Sequence, residues 1–168
     1  KFRERAGGDG KPLVLDSTGD GLLTVGLDGT LEGETSSAAV AWFGPPWSGT
    51  KLWHYVLPEG DVTQLHLQVA FEQLVEDFLP WETSVDQMPR RIVRDGRTLE
   101  LDYKPILHRG KLSKVLVVAR DVTARLRSEE LEQASREQQR LVGKLMEDRS
   151  AFIQFVQEGE ALLDTLQS

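Results

Sequence analysis

The stretch from Arg90 to Arg127, RRIVRDGRTLELDYKPILHRGKLSKVLVVARDVTARLR, constrains the fold more than any other part of the chain. Two turn signals, Asp95-Gly96 and Arg109-Gly110, cut it into three β-rich runs. The last run, Val115-Leu116-Val117-Val118-Ala119, stops at Asp121-Val122-Thr123. Beyond that point the sequence is charged and helix-favouring, with no Gly or Pro until Gly143. The pattern predicts a three-stranded antiparallel meander that feeds directly into a long helix. Any movement of the sheet must then reach the helix through residues 121–123.

Upstream, Lys1 to Pro12 is charged and Gly-rich and reads as a linker, and Leu13-Val14-Leu15-Asp16 as the start of the fold. Asp20-Gly21 marks a turn, Leu22 to Leu27 a short strand, and Asp28-Gly29 a two-residue hairpin turn into a returning strand, Thr30 to Glu34. Thr35 or Ser36 can N-cap a helix from Ser37 to Phe43, ended by Gly44-Pro45-Pro46. A second helical piece spans Thr50 to Leu57. A longer helix is predicted over Val62 to Leu79, closed by Pro80. Leu67, Phe71, Leu74, Val75 and Phe78 share one of its faces; His66, Ala70, Gln73 and Asp77 share a more polar one. Strands at both ends with helices between them predict an α+β fold, a five-stranded antiparallel sheet with helices on one face.

The composition narrows the function. A net charge of −7, from 27 acidic and 20 basic residues without a basic stripe, argues against a nucleic-acid partner. No run of apolar residues is long enough to span a membrane, and no signal-peptide pattern opens the chain. The chain of 168 residues begins at Lys1 and has room for one domain plus an extension, which suggests a piece of a larger protein. The absence of cysteine removes disulfides, thiolate metal sites and thiol nucleophiles, and fits a cytoplasmic location.

From Ala124 onward a heptad pattern emerges. Leu131, Gln138, Leu145 and Phe152 form one series; Ala134, Leu141, Asp148 and Phe155 form the other. This predicts a coiled-coil seam and hence a homodimer through the C-terminal helix, in preference to a lone helix folded back on its own domain. The polar Gln138 and Asp148 weaken the seam but can fix register, and Gly143 costs about 1 kcal/mol of helix propensity relative to Ala. Residues 125–149 carry six basic and six acidic side chains, a solvated exterior. From residue 150 to 168 the apolar stripe widens to Phe152, Phe155, Val156, Leu162, Leu163 and Leu166, as in a bundle helix or as more coiled coil.

The Arg90–Arg127 block resembles the C-terminal half of a PAS sensory domain. Members of that family carry an arginine, Asp-Gly, a strand pair, a strand ending in Asp-Ile/Val-Thr, and then a signalling helix. The resemblance extends in outline over Leu13 to Thr123, through Asp20-Gly21, Asp28-Gly29 and a short helix ending in Gly44. It departs at Glu34-Thr35-Ser36, where many relatives carry Asn, which puts ligand contacts from that position in doubt. It implies a sensory and dimerisation module of a bacterial two-component or chemotaxis-like protein. The expected layout is a linker (1–12), a sensory domain (13–123), a coiled-coil signalling helix (124–149) and the start of a downstream helical element (150–168). A histidine phosphotransfer or kinase domain would be the output partner. The last stretch loosely resembles the opening helix of a phosphotransfer bundle, although no histidine follows His108. In the family the junction acid couples the last strand to the helix, which places Asp121 and Thr123 in that role. The alternative is a structural dimerisation domain without a ligand.

A ligand, if held, is expected between the sheet and the long helix, near Trp53, His54, Phe71 and Tyr103. Its identity is open. The missing cysteine removes the light-driven flavin adduct of photoactive relatives but leaves a non-covalent flavin. His66 lies where some haem-binding relatives offer an axial ligand, yet periodicity sets it on the polar side, as a surface or edge ring. His54, His66 and His108 show no metal-ligand spacing. The aromatics Trp42, Phe43, Trp47, Trp53 and Trp81 read as core and loop packing or as a pocket wall. Glu100 and Asp102 fall opposite Leu99, Leu101 and Tyr103 on their strand, as solvated groups. No nucleophile elbow, phosphate-binding loop or kinase signature is present, so the chain is not expected to be an enzyme.

Overall fold

A computed structural model describes residues 19–167. The expected linker and the Leu13–Asp16 opening lie outside the described residues. The chain order is β1 (Gly21–Gly26), β2 (Leu31–Glu32), α1 (Ser37–Phe43), α2 (Leu52–Val56), α3 (Val62–Val75), α4 (Trp81–Asp86), β3 (Arg91–Arg94), β4 (Arg97–His108), β5 (Lys111–Asp121) and α5 (Thr123–Gln167). The five strands form one antiparallel sheet in the order β2-β1-β5-β4-β3. The architecture is α+β, as the pattern of elements predicts.

The meander forms because its two turns suit the twist of the strands they join. Arg94 pairs with Arg97 across Asp95-Gly96, and His108 with Lys111 across Arg109-Gly110. All four turn residues have positive φ, as type I′ turns require. Side chains alternate along the strands. Leu23 and Val25, Val115, Val117 and Ala119, Leu99, Leu101 and Tyr103, and Ile92 all enter one core with Leu67, Phe71 and Leu74 of α3. Glu100 and Asp102 take the opposite face, as expected, but are half-buried there rather than fully solvated.

Several local expectations change. The first hairpin is not a two-residue turn. The Gly29 amide donates to Gly26 O at 2.9 Å and the Gly26 amide to Thr30 O at 2.8 Å, so the loop has three residues, with Gly29 at φ 83°. Asp28 sits inside the turn, where its carboxylate accepts from both the amide and the hydroxyl of Thr30. The returning strand shortens to Leu31–Glu32, because Thr30 bridges to Lys51 instead. Asp20-Gly21 is also not a turn: Gly21 starts β1, paired with Ala119.

The long helix ends at Val75 rather than Leu79. Asp77 adopts φ 56°, which no helix continues, and Phe78 is left 84% exposed. Ala70, expected on the polar side, is buried. Pro80 closes no helix; it is the N-cap residue of α4, an element the sequence pattern did not reveal.

Ser36 caps α1 as anticipated, and does more. Its hydroxyl donates to Asp20 O at 3.1 Å while accepting from the Leu22 amide at 2.8 Å, which staples the helix start to β1. At the other end Gly44, at φ 86°, ends the helix, and its carbonyl accepts the Tyr55 hydroxyl at 2.6 Å. α5 is continuous from Thr123 to Gln167, with no break near residue 150. The described chain divides into two compact units, the boundary falling between Thr123 and Ala124.

Candidate functional site

The sheet ends where α5 begins, and the residues there hold one another tightly. Asp121 is the last residue of β5, opposite Leu99 of β4. Its Oδ1 accepts the Thr123 amide at 3.0 Å and the Thr123 hydroxyl at 2.5 Å. The first amides of a helix have no partner within it, so this carboxylate satisfies one of them and also complements the helix's positive end. Its Oδ2 meets Arg97 Nη1 at 2.9 Å.

The Thr123 hydroxyl uses both of its capacities. It donates to Asp121 and accepts the Thr98 amide of β4 at 2.9 Å. The Val122 amide donates to Thr98 O at 3.0 Å. Asp121 therefore caps the helix, while Thr123 ties the first helical residue to the neighbouring strand. The Asp121 carboxyl is held below the ordinary carboxylate range, chiefly by the Thr123 hydroxyl. The Thr123 amide and Arg97 add to the effect, and partial burial opposes it. Arg125 Nε lies 3.7 Å from Glu129 one helical turn on.

Arg97 and Thr98 were not among the residues singled out from the sequence. Counting back from the Arg109-Gly110 turn sets Asp121 opposite Thr98. A bulge beside Ile106 and Leu107 moves the pairing by one residue, to Leu99. That shift puts Arg97 and Asp121 on the same side of the sheet as the core residues Leu99 and Ala119.

Trp53, Phe71 and Tyr103 are buried members of one core. The Trp53 and Phe71 rings are 6.3 Å apart. Trp53 also lies over Gly29, close enough that a Cβ there would come within 2.5 Å of its ring. The Tyr103 hydroxyl donates to Pro89 O at 2.8 Å, and burial raises its pKa beyond the ordinary phenol range. Tyr55 is pushed up to about 12 for the same reason. Every fully buried side-chain polar atom among the described residues has a partner within the protein.

His54 does not join this group. It is the exposed residue of α2, between the buried Trp53 and Tyr55. His66 is also at the surface, its Nε2 3.1 Å from Gln87 O. Among the other aromatics, Trp42 and Trp81 pack against the core, Phe43 lies 5.3 Å from Tyr55, and Trp47 is 66% exposed.

On α5, Leu131, Ala134, Gln138, Leu141 and Leu145 are all exposed. Leu131, Leu141 and Leu145 leave 72%, 53% and 67% of their surface open. No helix among the described residues is long and apolar enough to cross a membrane.

No protein-family model matches this chain, and no curated protein matches it. Among solved structures it is similar to a domain of an HTR-like protein from Haloarcula marismortui ATCC 43049. The similarity has 19% identity and a TM-score of 0.37, over 62% of this chain and 99% of that one.

Proposed function

We propose that the chain is a PAS-like sensory and dimerisation module of a bacterial signalling protein, acting in the cytoplasm and without catalysis of its own. The observation that carries this reading is the junction. Two neighbouring strands and the first residue of a 45-residue helix share the hydrogen bonds of Asp121 and Thr123. A change in the β4–β5 pairing would alter the cap of the helix. The helix, dimerised through Leu131, Ala134, Gln138, Leu141 and Leu145, would pass the change to an output domain such as a histidine phosphotransfer or kinase domain.

The magnitudes suit a switch. Loss of a cap or of a charged hydrogen bond costs about 1–2 kcal/mol. That is too little to unfold a domain of about 5–15 kcal/mol stability. It shifts a two-state equilibrium roughly five- to thirty-fold. The test compares thermal stability with output activity in the full-length protein carrying Asp121→Ala. A normal fold with altered output supports the relay. A normal fold with unchanged output makes the junction a connector only.

A second reading, a structural dimeriser without a ligand, is favoured by the core. The hydroxyls of Tyr55 and Tyr103 both end on backbone carbonyls, which leaves them no proton to donate to a ligand. Native mass spectrometry of the purified chain separates the two readings. A retained small molecule supports the sensor, and its consistent absence supports the dimeriser.

A further inference from the structure

The surface beside α2 holds a recess with no role in the reading above. Among the described residues it is lined by Trp47, His54, Glu59 and Gln64, and it encloses about 450 Å³. That is within the usual size of a small-molecule site, roughly 300–1,000 Å³.

Its two banks are fixed before any ligand arrives. On one side Trp47 O accepts both the amide and the hydroxyl of Thr50, at 3.2 and 2.5 Å, and Thr50 O accepts the Leu31 amide of β2 at 2.9 Å. The turn that carries Trp47 is thereby fastened to the sheet. On the other side the Asp61 amide closes the Pro58–Asp61 turn that carries Glu59, donating to Pro58 O at 3.2 Å. Gln64 Nε2 donates to Leu57 O and Pro58 O at 3.2 and 2.9 Å, which leaves its amide oxygen as an acceptor. An indole 66% exposed on so well-anchored a turn gains little from its own fold.

The described lining offers a cation the face of an indole, a carboxylate and an amide oxygen, with an imidazole beside them. The neighbouring cation, Lys51, points its ammonium elsewhere. All three of its donors are occupied, by Asp28 O at 2.8 Å, Asp28 Oδ2 at 3.1 Å and Thr30 Oγ1 at 2.9 Å. A divalent metal would demand more oxygens than one carboxylate and one amide supply. An anion would meet Glu59.

We propose that the Trp47–His54–Glu59–Gln64 recess binds a small organic cation, an alkylammonium or guanidinium group. The cation lies on the Trp47 face, and its charge is met by Glu59. The net charge of −7 helps draw such a ligand to the surface.

The test titrates the whole, isotopically labelled chain with agmatine and with tetramethylammonium chloride. Sodium chloride and sodium acetate at the same ionic strength are the controls. The expected result is a saturable shift of the Trp47 indole resonance with either cation and none with the controls. Calorimetry should then find binding weakened roughly fivefold or more by Glu59→Gln and by Trp47→Leu. Both side chains are exposed, so the variants should keep the wild-type melting behaviour. No saturable shift with either cation, an equal shift with sodium chloride, or undiminished affinity in correctly folded Glu59→Gln protein would overturn the proposal.

Discussion

Gly29 is one residue on which two requirements meet. Its φ of 83° favours glycine, and the Trp53 ring occupies the place of a side chain. Gly33 has a similar φ of 76° and open space around it. Gly33→Ala should cost about 1–2 kcal/mol through backbone strain alone. Gly29→Ala should add about 1–3 kcal/mol of overpacking to the same strain. Urea unfolding of both variants checks this, and equal losses would mean that Trp53 moves aside freely. Asp28, beside Gly29, has its pKa lowered to about 2, first by the Thr30 hydroxyl and less by Lys51. Thr30→Val should therefore raise it more than Lys51→Met does, as followed by carbon NMR of the carboxyl. For both Asp28 and Asp121 the folded pKa lies below the unfolded value near 3.8. Their contributions are fully present above that value. They are lost as pH falls from about 4 through the folded pKa, which for Asp28 is about 2. Thr123→Val should bring the Asp121 pKa back toward its ordinary value and so diminish the stability the junction loses as pH falls through the carboxylate range, because the Thr123 hydroxyl is the chief cause of the lowering.

Elements differed in how openly the sequence declared them. The β3–β4–β5 meander was legible because both turns need positive φ and both carry Gly in second place. Asp121 and Thr123 were legible because they stand where strand composition gives way to helix composition. Arg97 and Thr98 were not, because a bulge near Ser113 has no sequence mark and moves every pairing beyond it by one. α2 is five residues long with four of them buried, too short for periodicity to assign His54 a face. Phe78 misled because it continues the apolar spacing of α3 past the residue where the backbone turns left-handed. Within α5, Gly143 has open space where a Cβ would stand. Gly143→Ala should raise helix stability by about 1 kcal/mol. Thermal denaturation followed by circular dichroism reads the gain, and an unaltered melt would mean that α5 is limited elsewhere.

At the scale of the molecule, one unit has a core and the other has only a surface to offer. The long helix buries none of its described residues, and the proposed dimer is what would cover its apolar stripe. Sedimentation equilibrium should give a dimer, twice 18.8 kDa, and Leu141→Asp with Leu145→Asp should return it to monomer. The melting of the sheet unit should be largely preserved in that variant. A wild-type monomer at every accessible concentration would sink the dimer. The strand order adds a mechanical consequence. β5 leads into α5, yet it is not an edge strand: it lies between β1 and β4 and is bonded to both. Tension or torque arriving from Thr123 therefore loads the middle of the sheet, and no outer strand can peel away first to relieve it. Such a sheet yields little until two ladders give way together, so it transmits small displacements stiffly and fails abruptly when overloaded.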